Sequence, residues 1–148
     1  MLYSGYITKT DLTNRFNGTN LDELTGSNDT ILTEVENQAL ELVAGFTRHW
    51  YDMTTEFAKT GANRNPVLIR IVCDLILFDL VGRNNSGNVP EYRTIRYDNA
   101  MSDLKKIQSG HIQLDIAINE FDTDEEERED EGQQLTWGKT QTGNNNEY

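Results

Sequence analysis

One run near the middle of the chain limits the fold more than any other part. Over residues 66–82, hydrophobic side chains fill nearly every position. On a helix, its few charged residues fall on two stripes: Arg70 and Asp74 share one, and Asp79 shares the other with Arg83, roughly opposite. A helix that is apolar almost all round belongs in the centre of a bundle, or between the body and another subunit.

The charged residues of this helix are spaced to form structural ion pairs. Asp79 and Arg83 stand four apart in the favoured order, with the acid first. Arg70 and Asp74 have the weaker reverse order, which leaves both side chains freer to find partners elsewhere. Asp74 and Asp79 diverge by about 140° around a helix, so a catalytic carboxylate pair is disfavoured.

Hydrophobic periodicity and capping signals predict an all-α body. Thr8 and Asp11 are spaced as a capping box, Asn28 or Asp29 can cap the next helix, and Asn65-Pro66 is a strong helix start. The predicted helices span about 9–16, 30–50, 66–82 and 90–109. Residues 17–29 are predicted to form a loop around a short turn at Leu21–Leu24, and residues 51–65 a second loop.

The C-terminal part of the chain changes character twice. Residues 112–118 alternate polar and apolar, with Ile112, Leu114 and Ile116 on one side, which is typical of a strand. A lone strand on a helical body must lie on the helices or pair with another chain. The composition from Asn119 onward is that of a disordered segment. We therefore predict a four-helix body over 1–115 with a short C-terminal strand, and an extended acidic tail over 116–148.

The tail itself is not uniform. Residues 120–131 hold nine acids and one base, and this run carries −8 of the net charge of −12. Beyond it, Leu135 and Trp137 are apolar residues in a polar terminus. They predict a docking motif that folds on a partner, with an exposed aromatic residue of no function as an equally weighted alternative.

Charge and composition exclude several classes of protein. A net charge of −12 disfavours a nucleic-acid binder, whose affinity comes largely from Lys and Arg. The single cysteine, Cys73, can form neither an internal disulfide nor a zinc site, which favours a reducing compartment. The N-terminus lacks the features of a signal peptide, and the apolar run 67–81 is too short and too charged to span a bilayer. We expect an unsecreted, soluble protein without membrane contact.

Two loop patterns imitate ligand sites and fail on their chemistry. Residues 82–87 have the glycine spacing of a phosphate loop, but Asn88 replaces the required lysine and no strand precedes it. Asp122, Asp124 and Glu126 imitate a calcium loop, but Glu127 stands where the sharp turn needs glycine. An ordinary interhelical loop and diffuse attraction of divalent cations are the preferred interpretations.

A nucleophilic site is also disfavoured. Cys73 with His49 or His111 would supply a nucleophile and a base. However, Cys73 lies inside the most apolar helix, where cysteine usually behaves as a small hydrophobic residue. The sequence predicts no catalytic residue, no cofactor and no metal site, and we expect that the protein is not an enzyme.

Three motifs in the same order resemble a known family, over about residues 5–115. They are Tyr6-Ile7-Thr8 with Asp11-Leu12, the central run from Pro66 to Leu75 with its Cys73-Asp74 pair, and the closing positions Tyr97, Met101, Leu104, Ile107, Gly110, Ile112 and Leu114. Together they resemble the Mu-like branch of the head–tail connector (adaptor) proteins of tailed phages. The segment 51–65 is longer than that pattern, and the acidic tail has no counterpart in it.

The resemblance implies a structural virion protein at the neck, assembled in the host cytoplasm. It implies a four-helix adaptor that forms a ring, commonly of twelve copies, beneath the portal protein. Such a ring extends the DNA channel without sequence-specific binding and presents a surface to the next tail component. The alternative is an acidic regulatory or inhibitor protein whose residues 119–131 mimic nucleic acid toward a basic partner.

Overall fold

Helices make up 70% of the residues that the structure describes. The computed structural model describes residues 5–16, 21–84 and 87–119. Within these residues there are six α-helices: α1 (Lys9–Arg15), α2 (Leu21–Thr25), α3 (Asp29–Thr47), α4 (Met53–Phe57), α5 (Pro66–Asn84) and α6 (Glu91–Gln108). A 3₁₀ turn lies at Gly61–Asn63.

The centre of the fold is α5, which packs against α1, α2, α3 and α6. It buries residues on every side, including the unbroken stretch from Ile71 to Leu77. Of the two environments expected for this helix, the centre of a bundle is the one observed. Its apolar surface is covered by helices of the same chain, so the hydrophobicity of α5 is no evidence for a subunit interface. No helix among the described residues is both long and apolar enough to cross a bilayer.

The predicted helix starts are confirmed at the level of individual caps. Thr8 and Asp11 form a reciprocal capping box at α1, and Asn28 accepts a hydrogen bond from the Thr30 amide at α3. The Asn65 side chain accepts from the first free amides of α5, those of Val67 and Leu68. At the other end of the fold, α6 stops before Gly110, whose φ of 78° is the left-handed conformation that glycine favours.

The predicted four-helix count and the loop over 51–65 are wrong. This segment contains α4, which Asp52 caps by accepting from the Thr55 amide, and which buries Met53 and Phe57. A five-residue helix is too short to show a period of 3.6, and it is stabilised by packing rather than by propensity. The short turn expected at Leu21–Leu24 is the helix α2, one residue longer.

The predicted extension of the long helix to Trp50 is also wrong. Helix α3 ends at Thr47, and the chain turns there so that Tyr51 is buried. The Trp50 ring is exposed, and its Nε1–H donates to the carbonyl of Gln108 at 2.8 Å. This contact joins the turn after α3 to the end of α6.

The predicted C-terminal strand over 112–118 is wrong as well. The described residues contain no strand there, only one isolated antiparallel bridge between Tyr51 and Ile118. Leu114 is buried, and Ile112 and Ile116 pack on the helical core. The alternating pattern therefore arises because one side of an extended segment lies on the helices, which was the first of the two alternatives. The compact unit runs to Ile118.

Shortening a side chain at the centre of α5 should destabilise the whole fold. Ile76 is fully buried, and Ile76→Ala should lower the free energy of unfolding by about 2–5 kcal/mol, because it removes buried methyl groups and leaves a cavity. Urea denaturation followed by circular dichroism measures this. The control Leu42→Ala, at an exposed position of α3, should change it by about 0.5 kcal/mol or less. Equal effects would contradict the central position of α5.

Candidate interaction surface

The N-terminal segment is attached to the body by a buried carboxylate. Glu56 of α4 is almost completely buried and accepts hydrogen bonds from the Tyr6 hydroxyl and the Asn65 amide, both at 2.8 Å. Its second oxygen accepts from the Lys59 ammonium at 2.6 Å. One side chain therefore connects three parts of the chain, and the burial of its charge is compensated by donors from each of them.

Arg64 makes a second connection to the same segment. Its guanidinium donates to the Tyr6 carbonyl and to the Asp11 carboxylate, each at 2.6 Å. Burial alone would raise the pKa of Asp11, but the hydrogen bonds from Arg64 and Thr8 outweigh it and hold that pKa below its usual value. The residues of the first motif, Tyr6 and Asp11, thus hold the start of the chain against the segment that precedes α5.

Glu36 of α3 is the third attachment point, and it has a different character. It is buried, and its Oε1 accepts from the Ile7 amide at 3.0 Å. Among the described residues it has no cationic partner. Burial raises the pKa of Glu36, and backbone hydrogen bonds from the N-terminal segment oppose that shift only in part.

The four charged residues of α5 are all engaged in ion pairs. Asp79 and Arg83 pair with each other at 2.9 Å on the exposed side of the helix. Arg70 and Asp74 do not pair together. Arg70 binds Asp103 of α6 at 2.7 Å, and Asp74 binds Arg15 of α1 through three hydrogen bonds of 2.9–3.1 Å. Arg70 and Asp74 therefore connect α5 to α6 and to α1.

Arginine side chains gather where α1 ends against the first turns of α6. Arg93 and Arg96 both donate to the Arg15 carbonyl, at 3.4 and 3.1 Å. Arg93 is fully buried, and its guanidinium lies 5.4 Å from the Phe16 ring and 5.1 Å from the Tyr92 ring. Its Nε and Nη1 atoms have no hydrogen-bond partner. No sequence pattern indicated this cluster, since its members come from distant positions.

An apolar groove of about 220 Å³ lies between α3, α5 and α6. Leu42 and Ala39 line one side, Leu75 and Phe78 the other, and Tyr97 closes one end by stacking on Phe78 at 4.2 Å. Exposed large hydrophobic side chains also occur at the two ends of α6. Tyr92 and Ile95 lie near its start, and Trp50 and Ile118 near its end.

The residues weighed for chemistry are not arranged as a reactive site. Cys73 is fully buried in α5, and burial raises the pKa of its thiol to about 12, so the thiolate is scarce at neutral pH. His49 and His111 are both exposed. In the part of the chain that the structure describes, no group of three or more His, Cys, Asp or Glu side chains could hold a metal ion.

Several predicted partner-binding residues can be placed, and others cannot. Ile112, Leu114 and Ile116 face the helical core rather than solvent. Leu135, Trp137, the acidic run 120–131 and the calcium-like residues lie outside the described residues. The predicted loop over 82–87 does not begin at Gly82, because residues 82–84 form the last turn of α5, and residues 85 and 86 lie outside the described residues.

Breaking the Arg15–Asp74 pair should cost far more than breaking the Asp79–Arg83 pair. Asp74 is 2% exposed, so Arg15→Ala leaves a carboxylate buried without a cation and should lower the free energy of unfolding by about 3 kcal/mol. Asp79 is 45% exposed, and the matched variant Arg83→Ala should change the free energy of unfolding by about 0–1 kcal/mol. Urea titration of both variants tests this. Similar losses would show that burial does not decide the difference.

Replacing Glu36 should remove one component of the pH dependence of stability. Because its pKa is higher in the folded than in the unfolded chain, folding takes up a proton between the two pKa values. The stabilising contribution of Glu36 therefore falls as the pH rises from about 4.5 through the folded pKa.

The difference in unfolding free energy between the wild type and Glu36→Gln, measured by urea titration at a series of pH values, should decrease over that window. Glu41→Gln changes an exposed carboxylate on the same helix and should leave the pH dependence nearly unchanged. A Glu36 variant whose pH profile parallels the wild type would contradict the burial of an unpaired carboxylate.

Comparison with known proteins relates the chain to a phage family. A family model described as Bacteriophage Mu, Gp36 matches residues 6–134, which include most of the described body and the acidic run. No curated protein and no solved structure matches the chain. The matched region begins at Tyr6, the residue that anchors the N-terminal segment on Glu56, and ends just before Leu135.

Proposed function

Because the chain belongs to the Bacteriophage Mu Gp36 family, we propose that it is a structural protein of the virion that acts as a head–tail connector. In this proposal it forms a ring, commonly of twelve copies, under the portal protein at the neck. The ring extends the DNA channel and joins the capsid to the next tail component. It is assembled in the host cytoplasm and has no enzymatic activity.

The observation that carries the proposal is the family match over 6–134 together with the positions of the three connector-like motifs. One residue of each motif makes a contact between distant segments of the chain. Tyr6 binds Glu56, Asp74 binds Arg15, and Tyr97 stacks on Phe78. The polar interior is thus used to hold helices together. Four of the five exposed large hydrophobic side chains among the described residues lie at the two ends of α6, where they are available for assembly.

Charge also fits a channel through which DNA passes without being held. Outside the acidic run the chain is only mildly anionic, so a ring of such bodies offers few free cations to phosphates. The Leu135 and Trp137 region is proposed as a contact with a neighbouring virion component, with the acidic run as a spacer or electrostatic guide.

An acidic regulatory protein is the second candidate, and the nine acids within 120–131 favour it. Such a protein would act as a monomer and displace nucleic acid from a basic partner. It needs no ring and no portal, which separates it experimentally from a connector.

Electron microscopy and native mass spectrometry of the purified full chain, alone and mixed with the portal protein of the same phage, test the proposal. We expect closed rings with a central opening, or a ring-shaped complex on the portal. A chain that stays monomeric in both samples would overturn the connector proposal. Displacement of DNA from a basic protein by that monomer would support the regulatory alternative.

A further inference from the structure

Two chemically different faces lie at opposite ends of α6. The first, called here the cationic face, consists of Tyr92, Arg93, Ile95 and Arg96. Tyr92, Ile95 and Arg96 are spaced three and four apart and so are neighbours on the helix surface. Ile95 is 52% exposed, and the Tyr92 ring lies within cation–π distance of both guanidiniums. Apolar and positively charged groups are therefore presented together.

The cationic face has an unmet requirement for an anion. No carboxylate among the described residues pairs with Arg93 or Arg96. The Asp74 carboxylate pairs with Arg15 instead. The two guanidiniums share only the Arg15 carbonyl, and Nε and Nη1 of the fully buried Arg93 have no partner. A buried guanidinium without a counter-ion is costly.

The second face lies where α6 ends, and is called here the acidic face. It consists of Trp50, Asp115 and Ile118, of which Ile118 is 69% exposed. Trp50 is held there by its hydrogen bond to the Gln108 carbonyl, and the neighbouring Tyr51 is bridged to Ile118. Directly after Ile118 and Asn119 the sequence supplies nine acids within 120–131. The described part of this end therefore combines apolar surface with the exposed carboxylate of Asp115, and the sequence continues from it into the acidic run.

Within one copy, the described residues of the two faces cannot touch each other. Ile95 and Gln108 are thirteen positions apart on one straight helix, a separation of roughly 20 Å at 1.5 Å per residue. Complementary surfaces at opposite ends of a molecule make a head-to-tail contact between copies, and repetition of such a contact gives a ring when the rotation closes. A two-fold dimer would instead use the same face on both copies.

We propose that the cationic face of one copy binds the acidic face of a second copy. Tyr92 and Ile95 pack against Trp50 and Ile118, and carboxylates that follow Ile118 in the second copy pair with Arg96 and lie close to the buried charge of Arg93. This inference rests on the proposed ring and names the surfaces that build it. The charge pairing sets the direction of assembly, because two cationic or two acidic faces repel each other.

Two single variants, each altered on one of the two faces, test the contact. Ile95→Asp damages only the cationic face, and Ile118→Asp damages only the acidic face. Both positions are exposed, so both variants should fold, which circular dichroism checks. Each variant alone should associate about tenfold or more weakly than the wild type, because a charge is buried in an apolar contact.

An equimolar mixture of the two variants should behave differently from either one. In a head-to-tail pair, the intact acidic face of the Ile95→Asp copy meets the intact cationic face of the Ile118→Asp copy. With one variant labelled with ¹⁵N, native mass spectrometry should show heterodimers and no larger species. The control Leu42→Asp, exposed but on neither face, should assemble as the wild type does. Absence of heterodimers, or unimpaired assembly of either variant, would overturn the proposal.

The charge pairing has its own test in a double-mutant cycle. Arg96→Gln and the neutralised triple variant Glu120→Gln, Asp122→Asn, Asp124→Asn should each weaken association, and their combination should be no weaker than either. Strictly additive losses would refute the pairing. Reduced binding of a duplex DNA probe by Arg96→Gln, with assembly unchanged, would instead make the cationic face a nucleic-acid site and overturn the proposal.

These outcomes are separate from failure of the proposed function. A wild-type chain that never assembles, with or without the portal protein, refutes the connector. A wild-type chain that assembles while the face variants assemble equally well leaves the connector standing and refutes only the head-to-tail contact described here.

Discussion

Covering α5 is the constraint on which the rest of this structure depends. A 19-residue helix that is apolar on almost every side cannot face water on any of them, since each exposed aliphatic side chain forfeits about 1.5–3 kcal/mol of burial free energy. Four other helices are therefore placed around it, including α1 and α2, which are too short to be stable alone. These short helices are stable because they cover the apolar surface of α5.

Hydrophobic burial has no direction, so it does not by itself fix how the surrounding helices are oriented. That role falls to a few polar side chains with defined geometry. Asp74 holds α1 through a bidentate pair with Arg15, Arg70 holds α6 through Asp103, and Glu56 and Arg64 hold the N-terminal segment. The contacts of the buried Asp74 and Glu56 tolerate little displacement, because an unpaired buried charge is expensive. The apolar residues make the body stable, and the polar ones give it a single arrangement.

The limits of prediction from the sequence follow from this division. Helix starts at Thr8, Asn28 and Asn65 were predictable because caps act within three residues. Helix α4 was missed because its stability comes from burying Met53 and Phe57 in a distant core. The alternation at Ile112, Leu114 and Ile116 could not distinguish a strand from an extended segment lying on helices. The partners of Arg70 and Asp74 lie 33 and 59 positions away, beyond any local rule.

The extended segment after α6 has a consequence for motion. Around Leu114 to Ile118 it is held by few hydrogen bonds: the Leu114 amide donates to the Tyr51 hydroxyl, and the Ala117 carbonyl accepts from the Asp52 amide. Regions with so few bonds open at a free energy well below that of global unfolding. Opening of this segment would therefore expose the buried Leu114 and leave the helix caps and the ion pairs of α5 intact.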